Sequence, residues 1–198
     1  MSVDLSTLEV ILASQSPRRA DLLDLIGVAH EVKPANVDES YVGGEQPEAH
    51  AERLARAKAE SIAAGLSESL VIAADTIVVI DGKVLGKPTD ATDAARMLKM
   101  LSGRRHVVMT AVAVAYRGQT VSNIERVSVN FRELGADEIE RYIATGEPMD
   151  KAGAYGIQGY GATIVRRIEG DYFAVMGLSL VRLVELLVQI GGRYTFAK

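Results

Sequence analysis

The sequence predicts an α/β protein with a mixed, twisted sheet and flanking helices. Segments with helical spacing alternate with apolar, β-branched segments along the 198 residues, which is typical of this class. Two strand pairs are joined by turn signals, Asp81-Gly82 and Gly118, and such hairpins exclude a purely parallel sheet. The sequence contains no internal repeat, linker or low-complexity tract, so we expect residues 1–198 to form a single domain.

The first elements are a strand, a loop and a helix. Leu8–Ala13 is typical of a buried strand, Ser14-Gln15-Ser16-Pro17 ends it, and Arg18–Ile26 has helical spacing that stops at Gly27. Pro47–Ala64 follows as a strongly amphipathic helix with proline in its first turn. This order predicts a first strand whose carboxyl end runs into a helix through a short polar loop.

Two short apolar strands come next. Leu70–Ala73 and Thr76–Ile80 are rich in apolar and β-branched residues, and Asp75 interrupts them. Asp81-Gly82 then leads into Val84-Leu85 as a hairpin.

The second half of the chain repeats this alternation. Thr89 or Asp90 can cap a helix that runs to about Leu101, and His106–Tyr116 and Thr120–Phe131 follow as two long strands. The remaining elements are a helix over Ala136–Thr145, a glycine-rich loop over Asp150–Gly161, a strand over Ala162–Ile168 and a closing helix over Ser179–Ile190.

Composition excludes several classes of function. There is no cysteine, which removes thiol nucleophiles, thiolate metal sites and redox chemistry. The net charge of -4 argues against a nucleic acid polymer as partner, since such binding needs a concentrated basic surface. The most apolar segment, Leu70–Ile80, is too short to span a membrane and contains Asp75, so no membrane partner is expected and the cytoplasm is the default location. The sequence also lacks a P-loop, a dinucleotide fingerprint and a nucleophile elbow.

Two arginines stand at an unfavourable position. Arg18 and Arg19 follow Pro17 at the positive end of a predicted helix, where each cation is disfavoured by roughly 0.3 to 1 kcal/mol. Free N–H groups at that helix start, the hydroxyls of Ser14 and Ser16 and two guanidiniums would make a phosphate cradle. The alternative is that both arginines point into solvent.

Lys58 and Asp75 also break local rules. Lys58 shares the inward helix face with Leu54 and Ile62, so its ammonium either lines a cleft or snorkels to the edge of that face. Asp75 lies in sequence that otherwise resembles buried strand, which predicts a bulge or strand end with a carboxylate for metal binding or general base catalysis, or else a simple turn.

Further charges strengthen one interpretation. Asp38 and Glu39 form an acidic pair in a loop, and Lys87 follows Gly86 beyond the first hairpin. Carboxylates for a hard metal and cations for phosphoryl charge are what a magnesium-bound polyphosphate requires. In the glycine-rich loop, Tyr155 and Gln158 are candidates to hold a base, although a flexible surface loop explains that segment equally well.

At the level of motifs the chain resembles a known family, the Maf nucleotide pyrophosphatases. The motifs that carry the resemblance are Ser14-Gln15-Ser16-Pro17-Arg18-Arg19, Ala74-Asp75-Thr76, Gly86-Lys87-Pro88, Ser102-Gly103 with His106 and Thr110, the run from Asp150 to Gly159, and Ile168-Glu169-Gly170-Asp171-Tyr172. They occur in the family's order and span about residues 9 to 190. Ser179 departs from the pattern, because the family usually has proline there.

The resemblance implies a fold similar to that of inosine triphosphate pyrophosphatases, with two lobes around a central cleft, and a nucleoside triphosphate cleaved between its α and β phosphates. It also implies a divalent cation, Mg²⁺ or Mn²⁺, which we place at Glu39 and Asp75, and a homodimer. Carried over by position, Asp75 is the proton acceptor, and base specificity is set by Arg18, Thr76 and Gln158. The other polar positions of the family cleft are Ser14, Arg19, Glu39, Lys58 and Lys87.

The run Asp150–Gln158 resembles the branch of the family that acts on dTTP and UTP. That run favours a pyrimidine nucleotide or a modified one as substrate. Two alternatives remain open from the sequence: a pyrophosphatase of the 7-methyl-GTP or another purine type, and a nucleotide-binding regulator of cell division.

Overall fold

The computed structural model of the protein describes residues 3–66 and 68–196. Its strands, in chain order, are β1 (Val3–Asp4), β2 (Val10–Leu12), β3 (Glu31–Val32), β4 (Leu70–Ile80), β5 (Lys83–Leu85), β6 (Arg105–Tyr116), β7 (Gln119–Phe131), β8 (Val165–Glu169) and β9 (Gly192–Arg193). Its helices are α1 (Pro17–Leu25), α2 (Pro47–Ala63), α3 (Ala91–Leu101), α4 (Ala136–Ala144), α5 (Tyr172–Met176) and α6 (Leu180–Gln189). The predicted α/β class with flanking helices is confirmed.

Seven of the strands form one mixed sheet with the order β3-β2-β4-β6-β7-β8, and β5 pairs with β4. β2 is parallel to both β3 and β4, whereas the β4–β5 and β7–β8 pairs are antiparallel. Asp81 and Gly82 have φ values of 50° and 71°, and Arg117 and Gly118 have 47° and 76°. A two-residue hairpin turn needs positive φ at both central residues, so both predicted hairpins are confirmed in detail.

The segment around Asp75 differs from the prediction. Instead of two short strands with a bulge, a strand end or a turn at Asp75, β4 runs without a break from Leu70 to Ile80. Asp75 is buried within it, at 7% exposure. A carboxylate is tolerated in this strand because Lys58 pairs with it, a contact that a local sequence window does not reveal.

The chain divides into two compact units. The first comprises the described residues of Met1–Asp75, Thr110–Glu125 and Gly177–Lys198, and the second comprises Thr76–Met109 and Arg126–Met176. In the first unit the largest fully buried side chains include Ile11, Leu12, Leu70, Ile72 and Leu186. The predicted lobes correspond to these units, and the predicted cleft stays a prediction.

The second unit has one continuous core. Residues of β4 to β8 and of α3, α4 and α5 contribute to it, among them Val78, Leu98, Val129 and Ile139. Its glycine-rich segment, predicted as a loop over Asp150–Gly161, is instead folded into short 3-10 helices, which are Glu147–Asp150, Ala152–Ala154 and Gly159–Thr163. The compact turns follow from local hydrogen bonds that the glycines permit, as at Gly153, where φ is 70°.

Helix starts agree with the local signals. α1 and α2 begin at Pro17 and Pro47, and the Asp90 carboxylate accepts from Asp93 N at 2.8 Å to cap α3. Ser179 caps α6 by accepting from Arg182 N at 3.3 Å, so the residue that departs from the family pattern has a structural role of its own. Among the residues that the structure describes, no helix has the length and apolar character that a bilayer crossing requires.

Candidate functional site

Polar side chains of the first unit gather where β2 ends. β2 pairs with β4 from Val10 to Leu12, opposite Leu70 to Ile72, and β4 then continues to Asp75 without β2 beside it. The loop after β2 supplies Ser14, which is buried at 6% exposure. Ligands of α/β proteins bind beyond the carboxyl ends of parallel strands, so this is the expected edge for a site.

Lys58 lies between two carboxylates at this edge. Its Nζ donates to Asp75 Oδ1 at 2.8 Å and contacts Glu39 Oε1 at 2.7 Å. Helix α2 places Lys58 on the same buried face as Leu54, and only 8% of the residue is exposed. The ammonium therefore does not snorkel into solvent, and its burial is compensated by two ion pairs.

Arg19 links three separate pieces of the first unit. Its Nη1 donates to Ser14 Oγ at 3.1 Å and to the Ala74 carbonyl at 2.7 Å, and its Nε donates to the Gly177 carbonyl at 2.7 Å. These acceptors offset the unfavourable dipole at the start of α1. Ala74 directly precedes Asp75, so the hydrogen bond from Arg19 also holds the backbone next to the Asp75 carboxylate.

The charges of the site act on one another. Burial lowers the pKa of Arg19, the nearby carboxylates of Asp75 and Glu39 raise it, and the positive charge of Arg18 lowers it further. The guanidinium of Arg19 therefore lies in the combined field of two anions and one cation. Five charged residues that the sequence singled out, together with Ser14, are thus assembled in the first unit.

The loop that carries Glu39 is fastened to α2 by a second cluster. Glu45 accepts from Arg53 Nε at 2.7 Å and pairs with His50 Nδ1 at 3.1 Å, and the ring of Tyr41 stacks on His50 with centroids 4.1 Å apart. The hydrogen bond from Arg53 lowers the pKa of Glu45 to about 2. Sequence reasoning missed this cluster, although the spacing of His50 and Arg53 on one helix face was a usable signal.

Three predicted site residues belong to the second unit. Thr76 directly follows Asp75 on β4 and is half-buried, whereas Lys87 and Gln158 are exposed. Tyr155 is not available to hold a base, because it is buried at 5% exposure with its hydroxyl 2.8 Å from His106 Nε2. The roles assigned to Thr76, Lys87 and Gln158 stay predictions.

The carboxylates of Glu39 and Asp75 are the donors suited to a hard cation. Oxygen atoms of both lie within hydrogen-bond distance of one ammonium, so they already converge on a single positive charge. In the described part of the chain no group of three or more metal-ligating side chains is assembled. Mg²⁺ is commonly bound by one or two carboxylates, and phosphate oxygens and water fill its remaining coordination positions.

Comparisons with known proteins show which family the chain resembles. The model of the family described as Maf-like protein matches residues 9–190. A dTTP/UTP pyrophosphatase of Moorella thermoacetica is 54% identical over 185 residues, covering 92% of this chain and 95% of that protein. A dTTP/UTP pyrophosphatase of Syntrophomonas wolfei is 51% identical, covering 91% of this chain and 96% of that protein.

Among solved structures, the Staphylococcus aureus Ham1 protein is similar, with 15% identity, a TM-score of 0.49 and coverage of 92% of this chain and 95% of that one. The family match extends over all the residues that build the site, and the curated relatives align over nearly their whole length. The chain therefore belongs to the Maf family.

Proposed function

We propose that the protein hydrolyses dTTP and UTP to the nucleoside monophosphate and diphosphate. The relatives named dTTP/UTP pyrophosphatase support the substrate, at identities of about half of all aligned positions. The observation that carries the chemistry is the contact of Lys58 with the buried carboxylate of Asp75 and the exposed one of Glu39. It combines a cation for phosphate with carboxylates for proton transfer and metal binding at one edge of the sheet.

The reaction is an in-line attack of water on the α phosphorus. The water oxygen bonds to that phosphorus, its proton passes to the Asp75 carboxylate, and the bond between the α phosphorus and the bridging oxygen breaks as diphosphate leaves. Ser14 accepts from Arg19 Nη1, and its own hydroxyl hydrogen is donated to a phosphate oxygen. The cations that bind the triphosphate are Arg18, Arg19, Lys58 and Lys87.

The carboxylates of Glu39 and Asp75 would hold a divalent cation, Mg²⁺ or Mn²⁺. Both carboxylates are hard oxygen donors, and both contact the Lys58 ammonium, so they lie near enough to each other to share one such ion. When bound, the ion neutralises charge on the bridging phosphates. Lys58 contacts both carboxylates and thereby offsets their mutual repulsion.

Base specificity rests with Arg18, Thr76 and Gln158. The exposed amide of Gln158 has both a donor and an acceptor for the edge of a pyrimidine ring. Thr76 adjoins the proton acceptor in sequence, so a change at that position acts on the same nucleotide that Asp75 serves. A site that must satisfy a hydrogen bond rejects a base lacking the partner group.

The whole chain, residues 1–198, works in this proposal as a single Maf-like domain and as a cytoplasmic homodimer, with neither a nucleic acid polymer nor a membrane as partner. The support for the dimer is the family resemblance. Light scattering coupled to size exclusion tests it directly, since a mass near 21.2 kDa at micromolar concentration would contradict it.

A panel of nucleoside triphosphates tests the substrate. We expect Mg²⁺- or Mn²⁺-dependent release of diphosphate and monophosphate from dTTP and UTP, with a kcat/KM at least about tenfold above those for dATP, dGTP and 7-methyl-GTP. A preference for a purine nucleotide would contradict the substrate class. Tight nucleotide binding without turnover in either metal would contradict the enzymatic role itself.

Asp75→Asn tests the proton acceptor. The amide has nearly the same shape, and Glu39 remains as a partner for Lys58, so the fold is retained while kcat falls by roughly 100- to 10,000-fold. Asp21→Asn on the exposed face of α1 is the matched control and should keep full turnover. Near-normal kcat in a folded Asp75→Asn variant would remove Asp75 from its role.

A further inference from the structure

The carboxylate of Glu147 holds the backbone on the carboxyl side of Gln158. Its Oε2 accepts from Tyr160 N at 2.8 Å, and its Oε1 accepts from Gly161 N at 2.9 Å. Glu147 itself stands in the short 3-10 helix after α4, and its own carbonyl accepts from Lys151 Nζ at 2.6 Å. One side chain thus binds two successive amides, which lie two and three residues after the exposed Gln158.

Tyr142 holds the backbone on the amino side. Its hydroxyl donates to Glu147 Oε1 at 2.8 Å and accepts from Gly156 N at 3.1 Å. The ring is anchored in the core of the second unit at 6% exposure. Gln158 therefore lies between two backbone positions that are tied to the same phenol and carboxylate pair.

Two glycines of this segment lie where a side chain would have no space. A Cβ on Gly161 would lie 2.1 Å from the Gly156 carbonyl oxygen, and a Cβ on Gly159 would lie 2.5 Å from Glu147 Oε2. Gly159 also has a φ of 66°, which L side chains rarely adopt. A side chain at Gly161 would therefore collide with the backbone of Gly156, and one at Gly159 would push against the carboxylate of Glu147.

Electrostatics favours the ionised, accepting form of Glu147. Burial raises its pKa, but the hydrogen bonds from the amides of Gly161 and Tyr160 and from the hydroxyl of Tyr142 together lower it by more. The pKa of Glu147 is therefore below the usual value. Burial raises the pKa of Tyr142, which keeps its hydroxyl protonated and able to donate. An ionised Glu147 that accepts and a protonated Tyr142 that donates are what the observed hydrogen bonds require.

We propose that Glu147, with Tyr142, is a positioning residue for base specificity, which acts by fixing the segment that presents Gln158. This inference rests on the proposed function, in which Gln158 reads the base. Glu147 itself does not contact the substrate in this proposal. The expected consequence is that loosening Glu147 lowers discrimination between bases more than it lowers turnover of triphosphates in general.

Glu147→Gln tests the proposal, because it keeps the shape of the side chain but replaces one accepting oxygen by an amide donor. We expect the ratio of kcat/KM for dTTP to that for dCTP to fall roughly 10- to 100-fold. The amides of Gly156, Tyr160 and Gly161 should also exchange hydrogen faster. Glu140→Gln, an exposed carboxylate on α4, is the matched control and should change neither readout. An equal loss of kcat/KM on both nucleotides, with the ratio intact, would overturn the positioning role.

Tyr142→Phe is the second variant, since it removes only the hydroxyl and keeps the ring in the core. It should lower the same ratio and speed exchange at Gly156. If Glu147→Gln does not fold, this variant decides, and an unchanged ratio in it overturns the proposal.

Combination with Gln158→Ala separates this inference from the proposed function. If Glu147 acts through Gln158, adding Glu147→Gln to Gln158→Ala causes no further fall in the ratio. If Gln158→Ala alone leaves the ratio of kcat/KM for dTTP to that for dCTP unchanged, the base-reading role in the proposed function is refuted, and this inference with it. If the same ratio falls in Gln158→Ala but is unchanged in both Glu147→Gln and Tyr142→Phe, only the inference is refuted.

Discussion

At the scale of single residues, the buried ionisable groups are of two kinds. Lys58 and Asp75 are buried as a pair, and each satisfies the other. His106 is buried at 2% exposure among the rings of Phe131 and Tyr155, and its Nδ1 has no hydrogen-bond partner among the described residues. The first pair belongs to the candidate site, whereas His106 makes the second unit sensitive to acid.

His106 should make the protein less stable as the pH falls from 6.5 to 4. Burial lowers its pKa from 6.5 to about 4, so within this window the unfolded chain binds a proton that the folded chain does not. The neutral ring therefore stabilises the fold fully above pH 6.5, and this contribution, up to about 3 kcal/mol, is lost by pH 4. Urea unfolding at pH 7 and pH 4.5 measures it.

His106→Leu should show a smaller loss of unfolding free energy between these two pH values than the parent protein. An identical pH dependence in the parent protein and His106→Leu would show that His106 does not titrate in this window.

At the scale of elements, short-range signals set most boundaries. α2 is predicted over Pro47–Ala64 and observed over Pro47–Ala63, because proline at its start and the end of its apolar face are local properties. β8 is shorter than predicted, since Ala162 and Thr163 belong to a 3-10 helix instead. β1, β9 and β3 were missed, because strands of two residues carry too little periodicity to be recognised.

The cap of α3 resolves an ambiguity in the sequence, where Thr89 and Asp90 were equally suitable. Asp90→Ala removes the acceptor for Asp93 N and should lower the unfolding free energy by about 1 kcal/mol. Thr89→Ala, one residue away, should change it by less than about 0.5 kcal/mol. Equal losses in the two variants, measured by urea unfolding, would contradict the assignment of Asp90 as the cap.

At the scale of the whole molecule, the site is a product of strand order. β2 and β4 are separated by more than fifty residues, yet their pairing brings Ser14 and Asp75 to one edge. Arg19 then ties that edge to Gly177, which lies 158 residues further along the chain. Because these contacts exist only in the folded chain, a ligand that uses them must stabilise the fold.

A non-hydrolysable dTTP analogue with Mg²⁺ should therefore raise the melting temperature. At a concentration of about 100 times its Kd the gain is about 2.7 kcal/mol, or roughly 5 to 10 °C for a domain of this size. Differential scanning fluorimetry measures the shift, and Lys58→Met should reduce it, because that variant lacks one phosphate-binding cation. An absent shift at saturating analogue would contradict nucleotide binding at this site.

The sequence by itself determined the fold class, both hairpins, most helices and the polar residues that the fold gathers in the first unit around Lys58. These follow from periodicity, turn chemistry and residues out of place for their element, all of which are local in the chain. Arg19, Lys58 and Asp75 each violated a local rule, and each violation is resolved by a contact distant in sequence.

Only the tertiary structure decided how those violations are resolved. It turned the interruption at Asp75 into an unbroken strand, since the compensating ammonium comes from α2. It also gave Arg19 its acceptors at Ala74 and Gly177 and gave Glu147 its hydrogen bonds to the glycine-rich segment, contacts that neither periodicity nor turn chemistry indicates. The physical reason is that burial and electrostatic pairing depend on neighbours in space, and strand order chooses those neighbours.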